Sequence, residues 1–222
     1  ANFLTKIVCR KYEKIIAISN AVKKFYVKNK IIEDLNKIKV VYYGISLVNK
    51  NKFKKNLDLK KKFNLSNKTF LIGTISRLVP QKSLNYLIDS FDIYNKKLNN
   101  NSKLIIVGKG FQKKQLKNYA FEKKINDKII WIDFIEDTDN FISQLNAFAL
   151  SSKYEGLGQV LLEALRVGTP IVASARGAIP EVIQNNYNGR LAPYNKPKKF
   201  AKLFDNLPKS KFKKNGHKIL NS

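Results

Sequence analysis

Between Thr69 and Ala192 short apolar runs alternate with longer stretches of helical spacing, and this alternation constrains the fold more than any other feature. Thr69 to Ile75, Lys103 to Val107, Lys128 to Ile132, Ala147 to Leu150, Pro170 to Ala173 and Gly189 to Ala192 read as buried strands. Between them, Leu84 to Leu98 repeats its apolar residues at Leu84, Leu87, Ile88, Phe91 and Tyr94, one face of a helix. Phe111 to Lys123, Thr138 to Leu145, a helix opening near Gln159, and Ile179 to Gln184 fill the other intervals. Strand and helix in regular exchange predict an α/β fold, a Rossmann-like, doubly wound parallel sheet.

In such sheets ligands bind beyond the carboxyl ends of the strands. Ser76-Arg77, Gly108, Phe134-Ile135 and Ser151 to Glu155 each follow a strand directly, so they are expected to meet at one crevice. The richest of these stretches is Ser151 to Leu165. Its two glycines allow close backbone approach, and the helix opening at Gln159 presents unpaired N–H groups suited to an anion. Glu155 and Glu163, one in the loop and one in the helix, suit ligand hydroxyls and not phosphate. The chemistry expected here is one ligand carrying both a phosphate and a polyol.

The same residues carry a resemblance. Glu155-Gly-Leu-Gly-Gln-Val-Leu-Leu-Glu163 is similar to the E-x7-E motif of family-4 retaining glycosyltransferases of the GT-B fold. Ser76-Arg77-Leu78-Val79-Pro80-Gln81-Lys82 resembles that family's G-R-L-x-x-x-K signature, and Val107-Gly108-Lys109-Gly110 its V-G-x-G turn. Gly168 to Ser174 and Gly177 to Ile183 are similar to the rest of its C-terminal half, in family order. The resemblance implies the donor-binding half of a GT-B enzyme. It would transfer a sugar from a nucleoside-diphosphate sugar, UDP- or GDP-linked, to a glycan or glycolipid acceptor with retention. The setting implied is cell-surface polysaccharide or glycolipid synthesis.

It implies roles as well. Arg77 and Lys82 would clamp the diphosphate, and Glu155 would hold the donor sugar near its reacting centre; these three form the catalytic set. Glu163 would hold the ribose hydroxyls, the backbone N–H groups of Leu157, Gly158 and Gln159 would face the leaving phosphate, Gly108 would admit the donor, and Ile135 would meet the base through its backbone. No metal or cofactor is called for, because cations and a helix start can stabilise the departing diphosphate. Where the family has glycine, this chain has Ser76, Ser83 and Asp133.

Each residue also has a plainer reading. Lys82 alone is one lysine among many, Glu155 alone a solvated loop carboxylate, and Glu163 alone an ordinary helix former. Apolar neighbours Val160-Leu161-Leu162 and Ala164-Leu165 make a carboxylate at position 163 less ordinary. A G-x-G turn is common in α/β folds, and the chain lacks the G-x-x-x-x-G-K-[ST] loop of P-loop hydrolases. With one cysteine and one histidine a zinc site is not expected.

The 222 residues carry a net charge of +27. Lysine far outnumbers arginine, a compositional bias of a solvated surface; a dedicated nucleic-acid face would favour arginine's fork. Peripheral attraction to an anionic membrane is the second reading, and nucleic acid is an unlikely partner on this ground. Cys9 alone excludes an internal disulfide and fits a reducing compartment, so the expected location is cytoplasmic, at the inner face of the membrane if it associates. The chain has no methionine, even at position 1, which points to a piece or processed product of a longer protein.

Three segments are expected: residues 1–47 as a remnant of the acceptor domain with its linker, 48–193 as the nucleotide-sugar-binding domain, and 194–222 as a basic helical tail. Within the first, Lys14 to Ile18 and Ile38 to Tyr42 read as strands, and Ser19 as the N-cap of a helix over Asn20 to Lys28. A short helix is expected around Leu57 to Phe63, and two more over Pro197 to Asn206 and Lys209 to Leu220. Two other classes share these features. A nucleotide-sugar epimerase or phosphorylase has the same architecture, and a non-enzymatic basic protein would account for the charge but not for the ordered motifs.

Overall fold

The computed structural model describes residues 2–46, 58–97, 101–205 and 207. The expected helix over Lys209 to Leu220 and most of the connection from Val48 lie outside them.

Helix α1 (Asn2–Lys11) comes first, followed by β1 (Ile15–Ala17), α2 (Asn20–Lys28) and β2 (Ile38–Val40). Strands β1 and β2 pair in parallel as a small sheet of their own, with Ile15 opposite Ile38. Ala17, Ile31, Ile32 and Ile38 form its core, with Cys9 of α1, Val22 and Tyr26 packed against them. Helix α2 starts where the sequence places it, because the Ser19 hydroxyl accepts from the Val22 N–H at 3.1 Å. Helix α1 was not foreseen.

The larger part runs α3 (Leu59–Lys62), β3 (Phe70–Ile75), α4 (Leu84–Lys97), β4 (Ser102–Val107), α5 (Lys113–Glu122), β5 (Ile129–Ile132), α6 (Thr138–Ser143), β6 (Ala147–Leu150), α7 (Gln159–Val167), β7 (Ile171–Ser174), α8 (Ile179–Val182), β8 (Arg190–Ala192) and α9 (Pro197–Lys202). Its six strands are all parallel, in the order β5-β4-β3-β6-β7-β8. This is the Rossmann-like, doubly wound sheet that the alternation predicts.

Both faces of the sheet are covered, which is why the strands are apolar throughout and not alternating. Ile72, Leu104, Ile106, Ala149 and Val172 face α4, α5 and α9, while Leu71, Ile105, Val107, Leu150 and Ala173 face α6, α7 and α8. Adjacent residues such as Leu71 and Ile72 therefore enter opposite cores, as strand period dictates. Phe91, Phe141, Phe148 and Phe200 are fully buried, each stabilising the fold by about 1.5–3 kcal/mol. Helix α9, set apart in the sequence as part of a tail, packs Phe200 edge-on against Tyr86 of α4, with ring centroids 5.2 Å apart. It ends at Lys202, a turn short of the expected Asn206.

A carboxylate is among the contacts that join the two sheets. Glu181 of α8 accepts from the Asn20 and Ala21 N–H groups at the start of α2, at 2.9 and 2.7 Å, and from the Tyr42 hydroxyl at 2.7 Å. Burial pushes this carboxyl up, but those hydrogen bonds outweigh it and hold Glu181 below its ordinary range.

In the strand order, β3 has β4 on one side and β6 on the other. The chain reverses its direction of winding there, and the carboxyl ends of β3 and β6 part to open a crevice.

Candidate active site

The loop after β3 is fixed by the loop after β4. Ser76 N–H donates to Val107 O at 2.9 Å, Leu78 N–H to Lys109 O at 2.8 Å, and Gln112 N–H to Leu78 O at 3.2 Å. This embrace requires glycine at two places. A Cβ on Gly108 would lie 2.0 Å from Ser76 O, and one on Gly110 would lie 2.3 Å from Leu78 O. Gly108 also has φ +138, outside the range of ordinary side chains. The chain then tightens into a short 3-10 turn, Pro80–Lys82, ended by Ser83 in the left-handed region. Ser83 holds that conformation with its hydroxyl 3.0 Å from the Tyr194 hydroxyl.

The loop after β6 is stitched to that turn. Ser151 Oγ donates to Lys82 O at 2.8 Å, Lys153 N–H to Gln81 O at 2.9 Å, and Gln81 Nε2 to Tyr154 O at 2.9 Å. The result brings Lys82 Nζ within 2.6 Å of Glu155 Oε2, with both side chains nearly buried at 13% and 11% exposure. Ser152 Oγ donates to the same oxygen at 3.0 Å. Behind Glu155, Ala178 N–H donates to its carbonyl at 3.0 Å, and a Cβ on Gly177 would sit 2.4 Å from that carbonyl. Glu155 is thus held in both main chain and side chain. Gly158, at φ +84, then turns the chain into α7, and no side chain caps the helix start.

These loops enclose a cleft of about 580 Å³. Arg77, Lys82, Gly108, Glu155, Gly158 and Gln159, six of the nine residues singled out in the sequence, line it together. The other three stand behind the wall. Leu157 is buried with its side chain in the core under α7, and Ile135 packs into the same core. Glu163 lies one turn below Gln159 on the same face of α7. It is half-buried beside Thr138, Asp139 and Arg166, and burial first, then Asp139, raise its carboxyl above the usual glutamate range against the pull of Arg166 and the Thr138 hydroxyl.

The cleft also has walls outside the nine residues assigned roles from the sequence. Phe134, not its neighbour Ile135, reaches the opening and is 75% exposed. Lys109 and Asp133 line the same mouth; Asp133 pairs with Lys113, whose hydrogen bond holds the carboxyl below its usual range, with Lys109 and Lys117 adding to the effect. All three follow β4 or β5 directly, so position after a strand was the available signal. In the wall itself, Ser76 Oγ is buried with no hydrogen-bond partner among the described residues.

Residues 55–219 match the family described as glycosyl transferases group 1. The chain belongs to that family. It is 31% identical over 177 residues to the capsular polysaccharide biosynthesis glycosyltransferase CapM of Staphylococcus aureus, covering 76% of this chain and 45% of that protein. It is 27% identical over 191 residues to the Escherichia coli UDP-Gal:alpha-D-GlcNAc-diphosphoundecaprenol alpha-1,3-galactosyltransferase, covering 82% and 48% of the two. Across such relatives the chain spans about a third to a half of their length.

Among solved structures, Anabaena Alr3699/HepE in complex with UDP and glucose superposes with a TM-score of 0.86 at 20% identity, over all of this chain and 63% of that one. The sucrose-phosphate synthase of Thermosynechococcus elongatus superposes at 0.82 and 19% identity, over 99% and 56%. These likenesses establish the fold, that of the GT-B glycosyltransferases. Among the described residues no helix is long and apolar enough to cross a membrane, and no cluster of three His, Cys, Asp or Glu side chains is placed to hold a metal ion.

Proposed function

We propose that this chain binds a nucleoside-diphosphate sugar in the cleft at the β3/β6 switch point and serves transfer of that sugar, with retention, to an acceptor hydroxyl. The observation that carries the reading is the meeting of Arg77, Lys82 and the uncapped start of α7 with Glu155 in one cleft. Cleavage of the sugar–phosphate bond builds negative charge on the diphosphate. Two cations and a helix start, preorganised in a partly desolvated site, stabilise that charge as it develops. Glu155 is held by Lys82 and Ser152 through Oε2, which leaves Oε1 for a hydroxyl of the donor sugar. It orients the sugar, and no covalent nucleophile is assigned. Glu163 stands one turn behind, where a small inward shift of ligand or helix brings ribose hydroxyls to it.

HepE, solved with UDP-glucose, supports a UDP-sugar as the first donor to try, and the names of the capsular and O-antigen relatives support a role in cell-surface polysaccharide or glycolipid synthesis. The test is calorimetric titration of UDP, UDP-glucose, UDP-galactose and GDP-mannose into the chain and into Arg77→Ala. Binding of at least one diphosphate, weakened in the variant, is expected. If none binds, or the variant binds equally well, the reading fails.

A further inference from the structure

A groove of about 530 Å³ lies between α4 and α5 and shares no lining residue with the donor cleft. Phe111 forms part of it, 79% exposed and without a ring or cation contact among the described residues. A fixed backbone presents that ring, because Gln112 N–H donates to Leu78 O at 3.2 Å and a Cβ on Gly110 would lie 2.3 Å from the same oxygen. Tyr119 is held as firmly. Its hydroxyl donates to Asp89 at 2.7 Å, and Lys123, paired with Asp89 at 2.8 Å, stands 4.9 Å from the centre of its ring. The rest of the lining is mainly carboxamide, from Asn85 of α4 and Gln115 and Asn118 of α5, with one charge of each sign from Lys114 and Glu122. The side chains of Asn85, Asn118, Lys114 and Glu122 have no partner among the described residues.

We infer that this groove binds a neutral oligosaccharide, with a sugar ring stacked on Phe111 and hydroxyls bonded to the carboxamides, as a holding site for a glycan away from the point of transfer. The charge pattern selects that occupant. In a chain of net charge +27, crowded with lysine, the one cation lining this groove is offset by a carboxylate. A nucleic acid or an anionic bilayer is drawn to several cations together and would be repelled by Glu122. A hydrocarbon would cover three amides without satisfying them, at a cost. A sugar suits both parts of the lining: its C–H face packs on an aromatic ring, and its hydroxyls donate and accept as carboxamides do. Lys109 lines the donor cleft and Phe111, two residues on, lines the groove, so a glycan held here lies beside the donor site without entering it. The chemistry stands on the groove alone; the donor reading supplies only the reason for a glycan to be at hand.

The test is saturation-transfer NMR on the whole chain with maltotriose, cellotriose, mannotriose and chitotriose, in low and high salt and with and without saturating UDP. Phosphatidylglycerol vesicles and a single-stranded RNA oligomer are titrated in parallel. The expected result is transfer to at least one trisaccharide, unchanged by salt or UDP, with binding about tenfold weaker in Phe111→Ala and about threefold weaker in Asn118→Ala. Both side chains are exposed, so the unfolding midpoint and UDP affinity of the variants stay at wild-type values. No transfer to any trisaccharide, displacement of the trisaccharide by UDP, or equal binding in both variants overturns the inference. Phe111-dependent binding of the vesicles or the RNA, without a trisaccharide, overturns it too. Failure of UDP to bind overturns the donor reading instead, and the trisaccharide arm without UDP still decides this one.

Discussion

The Lys82–Glu155 pair offers a quantitative test of how the site is held. Among the ion pairs of 2.6 Å length, two have very different surroundings. Lys82 and Glu155 are 13% and 11% exposed, while Lys97 and Asp205 are 62% and 29% exposed. Removing one member of the nearly buried pair strands a charge out of water, and Ser152 alone cannot compensate Glu155. Lys82→Met and Glu155→Gln are each expected to cost about 3 kcal/mol, while the double variant costs no more than either single one, a coupling of about 2–3 kcal/mol. For a chain of this size that lowers the unfolding midpoint of each single variant by about 6–12 °C. The Lys97–Asp205 cycle is expected to give a coupling under about 1 kcal/mol, and less in high salt. Urea unfolding followed by circular dichroism measures both. Additive losses at Lys82 and Glu155 would refute the claim that this pair is desolvated and mutually dependent.

Gly108→Ala places a Cβ 2.0 Å from a backbone oxygen at a positive φ, and is expected to cost more than about 2 kcal/mol. Gly44→Ala, with nothing within 4 Å, serves as the neutral control in the same thermal scan. Glu163→Gln is expected to leave stability at pH 7 equal to or above that of the wild type, because a carboxyl whose folded pKa is raised loses stability as pH rises from its unfolded value through its folded one. The advantage fades at pH 4, and UDP binding weakens; both are read by unfolding and calorimetry. Glu181 behaves in the opposite sense. Its depressed carboxyl stabilises above the ordinary glutamate value, so the protein loses a small increment as pH falls through that range, an increment absent in Glu181→Gln.

The six-stranded sheet was legible because its central strands are buried on both faces and read as mainly apolar runs. Ile105, Ile106 and Val107 leave no ambiguity about a strand, and Leu84, Leu87, Ile88 and Phe91 none about a helix. Helix α1 was not read although half of its ten residues are apolar; Ile7 and Val8 remain 41% and 45% exposed. The extent of α9 was misjudged as well. Phe200, Ala201 and Phe204 are buried in the core with Leu203 and Leu207 packed against it, and lysines are interspersed among them.

At the site, strand-end position gave Arg77, Gly108 and Glu155 their common cleft. It did not give the Lys82–Glu155 pairing, since those residues are 73 positions apart and join only through the Gln81 and Ser151 hydrogen bonds. Phe134 and Ile135 were both expected at the crevice because both follow β5, and only the local backbone decides which side chain turns outward.

The central claim is that cations, helix start and carboxylate act on one ligand. A crystal structure of the chain with a nucleoside diphosphate bound tests it most directly. The diphosphate oxygens are expected within hydrogen-bond reach of Arg77, Lys82 and the first N–H groups of α7, with the remainder of the nucleotide running toward Glu163 and Phe134. A nucleotide seated on another face, or one whose diphosphate touches neither Arg77 nor the start of α7, would contradict the account.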